Sequence, residues 1–375
     1  PNRPTSGNKS IVNNSSDYDY VIGSGPWGER ADLMGLLVRL PFHDAAKFHR
    51  RNDTNNTNTN ATPSSSLAIG GADGCVDLDS AENNGLKEAI DLLEPIRQKA
   101  FIPTGEGEDE AILLSRADVW ALAGNVMIES AGGPQLAYKV GRVDATDCAG
   151  QGERHVSAES TSSMDVERAF VEELGFTHRE VVALIGAHVL GKASKVHSGY
   201  GGAWVQRNDR FTNDYYVDML HVPWQRDTET VEPFGERTTW HHFEGMRKMP
   251  KIMLQADVDL AFQTTGGWFC SHMGGEFIKG LSCPNATHGF AEHVHEFAAD
   301  EEEWREEFAV AWEKLTGMTE SELECVMPDC WTPEESWSAS EPSDEPRSSD
   351  SAAAMDGTTR FYGGLSLFML AWHIL

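Results

Sequence analysis

The sequence has few cysteines, few basic residues and little strand-like alternation. Six cysteines in 375 residues are too few for a small disulfide scaffold, and no Cys-x-x-Cys pair indicates a zinc site. The 30 basic residues face 59 acidic ones, and the formal net charge of −29 argues against nucleic acid or an anionic membrane as partner. The composition is that of a folded protein, and its acidic surface permits a basic partner protein.

Several features bear on the compartment. Together with the even cysteine count, Asn-x-Ser/Thr sequons favour a secreted or cell-surface glycoprotein with disulfides, and an organellar lumen is the alternative; the sequons begin at Asn8, Asn13, Asn14, Asn52, Asn55, Asn60 and Asn285. The chain begins without an apolar signal region, so we expect any signal peptide to be absent already. Small residues at 351–354, a polar spacer and the apolar residues 365–375 resemble a lipid-anchor signal. Docking of this apolar segment on the fold is the alternative.

Apolar residues recur at helical spacing along most of the chain. This pattern predicts helices at about 31–48, 85–98, 115–130, 164–174 and 178–190, and less regular ones near 212–220, 250–262 and 288–316. Residues 1–25 are predicted to form a flexible arm, 50–66 a surface loop, and 331–375 a disordered acidic and Ser-rich tail ending in a short apolar segment. We therefore expect a mainly α fold.

Arg39 and His43 lie four residues apart, so both project from one face of the first helix. A histidine base and a fixed cation are what cleavage of a peroxide bond requires, although this spacing is common by chance. His188 lies in an apolar helix, where most histidines are core residues but where a haem iron would take it as ligand. Asp257 is a candidate hydrogen-bond partner for such a ligand, and Asp259 competes for that role.

The chain resembles the plant-type haem peroxidase superfamily, most closely the cytochrome c and ascorbate peroxidases, with some features of the secreted branches. The resemblance runs from about residue 27 to residue 318 and covers motifs in the family's order, among them Val38-Arg-Leu-Pro-Phe-His-Asp44, Gly70-Gly-Ala-Asp-Gly74, Asn83-Asn-Gly-Leu86, Ala117-Asp-Val-Trp-Ala-Leu-Ala-Gly124, Arg179-Glu-Val-Val-Ala-Leu-Ile-Gly-Ala-His188 and Leu254-Gln-Ala-Asp257. It implies a two-lobed helical fold with haem between a distal lobe, 26–160, and a proximal lobe, 161–330.

The resemblance also implies a role for each site residue. Arg39 and His43 would be the distal catalytic pair beside Phe42, and Asn83 would accept a hydrogen bond from His43. His188 would bind the iron of a non-covalent b-type haem and Asp257 would polarise it. Lys192 would lie near a haem propionate, and Trp204, 16 residues after His188, would stack on that ligand and hold a radical.

A distal calcium ion is implied only in part. The secreted branches bind it with residues that correspond to Asp44, Gly71 and Asp73, but Cys75 replaces their serine ligand, and a thiol is a poor ligand for a hard cation. Val189 replaces the proximal cation ligand, so we expect no proximal calcium or potassium.

The substrate signatures of the family are incomplete in this chain. His197 replaces the arginine of ascorbate peroxidases, and Ala183 replaces the surface tryptophan of lignin-degrading enzymes. The positions of the manganese ligands hold Asp32, Leu36 and Ser194. The electron donor therefore stays open between small phenols, which we favour, and a basic redox protein such as cytochrome c.

The function predicted by the resemblance is reduction of hydrogen peroxide to water through a ferryl intermediate, with one-electron oxidation of a donor. The alternative is a non-catalytic haem-binding protein of the cell surface. Intact Arg39, His43 and Asn83 favour the enzyme. Six cysteines allow 15 pairings, and proximity in the sequence suggests Cys270 with Cys283 and Cys325 with Cys330.

Overall fold

The structure is a computed structural model, and it describes residues 26–50, 68–103, 111–148, 162–242, 251–265, 267–271 and 283–325. The helices in this part of the chain are α1 (Pro26–Ala46), α2 (Leu86–Arg97), α3 (Arg116–Ser130), α4 (Ser163–Val166), α5 (His178–Ile185), α6 (Lys195–Ser198), α7 (Asp214–His221), α8 (Gln255–Ala261), α9 (Phe290–Ala299) and α10 (Glu301–Thr316). Short 3₁₀ turns at Ala81–Asn83 and Gly186–Val189, and a π-helical turn at Glu167–Glu173, add to them. The prediction of a mainly α fold is confirmed.

The first half of the fold is built around α3. Ser115 caps this helix by accepting from the Asp118 N–H, and nearly every residue from Ala117 to Ile128 is buried. Helix α1 packs along it, and the two backbones come close because position 124 is glycine, where a Cβ would lie 2.8 Å from the ring of Pro41. Both helices were predicted from apolar periodicity.

The second half packs α5, α7, α9 and α10 together. A capping box begins α5: Thr177 accepts from the Glu180 N–H, and the Glu180 carboxylate accepts from the Thr177 N–H. The predicted helix 288–316 is two helices, because Asp300 ends α9 in an extended conformation and caps α10 by accepting from Glu302 and Glu303.

Strands contribute more than we predicted. A four-stranded antiparallel sheet in the order β8-β7-β6-β9 is formed by β6 (Trp224–Val231), β7 (Gly235–His242), β8 (Lys251–Leu254) and β9 (Phe269–Cys270). In β6 only the two end residues are buried, so the strand has no alternation of polar and apolar residues to reveal it. The helix predicted near 250–262 is therefore β8 followed by α8.

The described residues also form three two-stranded antiparallel ladders outside this sheet. They pair β1 (His49–Arg50) with β2 (Ala68–Ile69), β3 (Phe101–Pro103) with β4 (Ala111–Leu113), and β5 (Lys139–Val140) with β10 (Glu324–Cys325). Within the described residues, no helix is both long and apolar enough to span a bilayer.

Two disulfides join described residues. Cys270 pairs with Cys283, as predicted, and Cys75 pairs with Cys148, which lies 73 residues further along the chain. The predicted partner of Cys325 lies outside the described residues, as do the N-terminal arm, the C-terminal tail and all the sequons except that at Asn285.

Candidate active site

A contact between two glycines brings the predicted distal and proximal residues to one region of the fold. Gly35 lies one turn before Arg39 on α1, and Gly191 lies three residues after His188. A Cβ on either glycine would lie 2.8 Å from the Cα of the other, so only glycine permits this crossing. On the other side of the site, the Asn84 amide donates to the carbonyl of His197 at 3.2 Å.

The distal part of the site contains His43 and Asn83. His43 Nδ1 donates to Asn83 Oδ1 at 2.9 Å, and Asn83 Nδ2 donates to the carbonyl of Asp77 at 2.8 Å. The second bond orients the amide with its oxygen towards the imidazole. The hydrogen of His43 is therefore placed on Nδ1, and Nε2 is the basic nitrogen.

Arg39 lies one helical turn before His43 and is held by two backbone carbonyls. Its Nη1 donates to Asn84 O at 2.9 Å and its Nη2 donates to Glu82 O. Loss of solvent around the guanidinium lowers the pKa of Arg39 to about 10, so the side chain stays charged at neutral pH. Phe42, between the two residues, packs edge-on against His43, with ring centroids 5.8 Å apart.

His188 lies just after α5, where the helix tightens into the 3₁₀ turn Gly186–Val189. Carbonyls at this point accept hydrogen bonds from side chains: Tyr216 Oη donates to Val182 O at 2.7 Å, and Trp304 Nε1 donates to Ala183 O at 3.1 Å. These buried bonds hold the backbone of α5, which leads directly into the turn that carries His188. They involve residues far apart in the sequence, so no local pattern could have revealed them.

Asp257 joins the proximal residues into one hydrogen-bonded group. Its Oδ1 accepts from His188 Nδ1 at 3.0 Å, and its Oδ2 accepts from Trp204 Nε1 at 2.7 Å. The Trp204 ring stacks on His188 with centroids 4.3 Å apart and planes 16° from parallel. Asp259, the competing candidate, instead accepts from Gln255 and Thr264. Of the two acids, the structure brings only Asp257 to His188.

The carboxylate of Asp257 is buried and stays ionised. Burial alone would raise its pKa, but interaction with His188 and hydrogen bonds from His188, Trp204 and the Leu254 N–H lower the pKa below its usual range. Tyr215 Oη is a further donor, at 2.8 Å. We did not predict Tyr215, since its distance in sequence from Asp257 gives no signal of this contact.

Lys192 contacts α1 across the site. Its ammonium lies 3.0 Å from the Asp32 carboxylate. Asp32 is also one of the positions that the manganese signature requires, and this ion pair already engages it. The propionate contact predicted for Lys192 stays a prediction.

The predicted distal calcium ligands surround a lysine. The buried ammonium of Lys47 donates to Asp44 Oδ1 at 3.0 Å and also to the carboxylate of Asp73 and the carbonyl of Cys75. Asp44 further accepts from the backbone N–H groups of Gly74 and Cys75, at 2.8 and 3.0 Å. Because an internal cation already occupies the position between the two carboxylates, these residues do not fit a calcium ion.

The other predicted calcium residues agree with this correction. Gly71 packs its backbone against Met318, where a Cβ would clash with the carbonyl oxygen, and Cys75 is engaged in a disulfide rather than present as a thiol. Among the described residues, no group of three or more His, Cys, Asp or Glu side chains could hold a metal ion. The signal for Lys47 was its place three residues after Asp44 on a predicted helix.

A family model described as "Peroxidase" matches residues 26–273. The chain belongs to the peroxidase family. This stretch contains the distal residues Arg39, His43 and Asn83 and the proximal residues His188, Trp204 and Asp257, and it confirms the family recognised from the sequence motifs.

Three relatives show where the similarity lies. A mitochondrial cytochrome c peroxidase of Emericella nidulans is 28% identical over 80% of this chain and 66% of its own length. One of Yarrowia lipolytica is 31% identical over 65% of this chain and 61% of its own. A peroxisomal L-ascorbate peroxidase of Oryza sativa subsp. japonica is 31% identical over 49% of this chain and 55% of its own length, and its name carries the qualifier "probable". The chain thus spans between about half and two thirds of the length of these relatives.

Proposed function

We propose that the chain is a haem peroxidase that reduces hydrogen peroxide and oxidises a donor in one-electron steps. The observation that supports this best is that two groups of residues lie in one region of the fold. On α1 the basic imidazole of His43 lies beside the guanidinium of Arg39. Beyond the contact between Gly35 and Gly191, the imidazole of His188 is hydrogen-bonded to a buried carboxylate. Family membership and the names of the relatives support the same reaction class.

The residues present fit a b-type haem. Asp257 accepts the Nδ1 hydrogen of His188, which leaves Nε2 as the ligand atom. The His188 side chain is 38% exposed although the adjoining Val189 and the preceding Leu184 are buried, so there is open space beside the imidazole. When bound, haem would supply the iron at which peroxide reacts, and His188 would hold it.

His43 and Arg39 would act on the peroxide itself. His43 Nε2 takes the proton from one oxygen and returns it to the other, which leaves as water, while Asn83 holds Nδ1 and so preserves the reactive tautomer. The Arg39 guanidinium stabilises the negative charge that develops on the leaving oxygen. Asp257 increases the electron density of His188 through the Nδ1 hydrogen bond.

Trp204 is the residue best placed to lose an electron. Its ring is stacked on His188, and its N–H is held by an ionised carboxylate, which stabilises positive charge on the indole. Small phenols are our favoured donors, and a basic redox protein such as cytochrome c is the second candidate, favoured by the −29 charge and by the names of the two cytochrome c peroxidase relatives.

Replacement of Trp204 by Phe should abolish any protein-based radical signal in the electron paramagnetic resonance spectrum after peroxide addition. Phenylalanine keeps the stacking but loses the N–H that donates to Asp257, while the distal residues that cleave peroxide are untouched. The rate of reaction with peroxide should stay within a few-fold of wild type. Trp312→Phe, a buried tryptophan bonded to Asn125, is the matched control and should keep the signal. A radical that survives in Trp204→Phe would assign it to another residue.

The proposed function is tested by haem reconstitution of the full chain, followed by peroxide addition and a steady-state screen of donors. We expect a Soret band that shifts with one equivalent of peroxide, and turnover with guaiacol that exceeds turnover with ascorbate or Mn(II). Cytochrome c is the fourth donor in the screen. Haem binding with no spectral response to peroxide would refute the enzyme and support the non-catalytic alternative.

For the compartment we propose a secreted or cell-surface location. Cys75–Cys148 and Cys270–Cys283 favour an oxidising environment, and the sequon asparagine Asn285 is exposed. The mitochondrial and peroxisomal names of the relatives support the organellar alternative. Glycan mass on the native protein would distinguish the two.

A further inference from the structure

A pocket rich in arginine lies on this otherwise acidic chain. Its volume is about 440 Å³, within the range of sites for small molecules. Four arginines line it and come from three parts of the fold: Arg30 on α1, Arg207 and Arg210 in the segment before α7, and Arg305 on α10. Among the described residues that line the pocket, Asp209 carries the single carboxylate. The pocket is therefore positively charged on a chain whose formal net charge is −29.

The carboxylates near the pocket already form ion pairs with two of its arginines. Asp209 accepts from Nε and Nη2 of Arg207, at 3.0 and 3.3 Å, and Glu301 on α10 accepts from Arg305 at 2.6 Å. Within the part of the chain that the structure describes, Arg30 donates to a backbone carbonyl, that of Ser130. Among the described residues neither Arg30 nor Arg210 forms an ion pair with a carboxylate, and Asp209, which interacts electrostatically with Arg210, is already hydrogen-bonded to Arg207.

Two hydrogen-bonding groups on the lining residues are also unsatisfied. Thr212 Oγ1 and Arg305 Nε are buried and have no hydrogen-bond partner within the described structure. Buried donors without acceptors are rare in folded proteins because each costs free energy. Both groups belong to residues that line the pocket; Arg305 Nε can only donate and so lacks an acceptor, whereas the Thr212 hydroxyl can donate or accept.

We propose that this pocket binds a small organic anion that carries a carboxylate or a sulfate group. The guanidinium fork matches the geometry of two acceptor oxygens, and the volume exceeds what a single inorganic oxyanion fills. A long polyanion is disfavoured, because it would extend from the pocket over the acidic surface of the chain. The proposed function does not use this pocket.

The test is calorimetric titration of the full-length protein with sodium benzoate, with benzamide as the uncharged analogue of the same shape. We expect benzoate to bind and benzamide to bind at least about tenfold more weakly, since one charge-assisted hydrogen bond is worth about that factor. Added salt should weaken benzoate binding, as screening requires for exposed charges.

Variants locate the binding site. Arg30→Gln and Arg210→Gln each remove an exposed guanidinium that forms no ion pair with another described residue, so both proteins should fold normally and lose about tenfold in benzoate affinity. Arg168→Gln, an exposed arginine on the π-helical turn, makes the same change in net charge outside the pocket and should bind as wild type does. Equal binding of benzoate and benzamide would overturn the proposal, as would unchanged benzoate affinity in both pocket variants.

Discussion

His43→Leu is expected to slow the reaction with hydrogen peroxide by about two to four orders of magnitude, the usual contribution of a general base. The base acts through Nε2, and Asn83 holds the other nitrogen at 2.9 Å. Leucine has neither nitrogen but fits a partly buried position beside Phe42. Haem uptake should be unaffected, since the proposed ligand is His188. Stopped-flow absorbance of the reconstituted protein at increasing peroxide concentration measures this rate.

Two controls separate proton transfer from a general loss of structure. His221→Leu removes an exposed histidine at the end of α7 and should react at the wild-type rate. Asn83→Leu removes the acceptor of His43 Nδ1 without removing the base, so the rate should fall less than in His43→Leu and the pH profile should shift. Peroxide kinetics that are unchanged in His43→Leu would refute the role assigned to this residue.

The parts of the site that could be predicted are those encoded by local spacing or by motif. Arg39 and His43 share a helix face because they are four residues apart, and this holds for any amphipathic helix at that position. The capping box of α5 likewise follows from Thr177 and Glu180. Local spacing could not separate Asp257 from Asp259, because both lie in one short apolar segment, whereas the family motif Leu254-Gln-Ala-Asp257 favoured Asp257. Only the packing of α8 against the Trp204 segment shows which one faces His188.

Long-range features were missed for a physical reason. The partners of Cys75 and Tyr215 are 73 and 42 residues away, and their pairing depends on the whole chain path. Nearly every residue of strand β6 is polar, so the alternation of polar and apolar residues that marks a half-buried strand is absent. For Asp44 and Asp73 the family pattern predicted a divalent cation, whereas the structure places the single positive charge of Lys47 between the two carboxylates.

Lys47→Met should therefore be among the most destabilising single substitutions in the protein, lowering the free energy of unfolding by about 3–5 kcal/mol at pH 8, as breaking a buried ion pair does. Methionine retains the length of the side chain but leaves Asp44 and Asp73 without their cation. Lys87→Met, in the exposed pair with Asp91, should change the same quantity by less than about 0.5 kcal/mol. Urea unfolding followed by circular dichroism compares the variants.

The effect of Lys47→Met should depend on pH in a direction that Asp73 sets. Burial raises the pKa of Asp73 from 3.8 to about 6 even though Lys47 draws it down, and removal of the ammonium should raise it further. A carboxyl whose pKa is raised in the folded state binds a proton more readily there than in the unfolded chain, so its cost is absent below about pH 4 and grows as pH rises through the folded pKa. The variant should thus lose less stability at pH 5 than at pH 8. Because the wild-type cation is a lysine, a chelator such as EDTA should leave the wild-type melting temperature unchanged; a fall of several degrees would show that a metal ion, and not Lys47, neutralises this site.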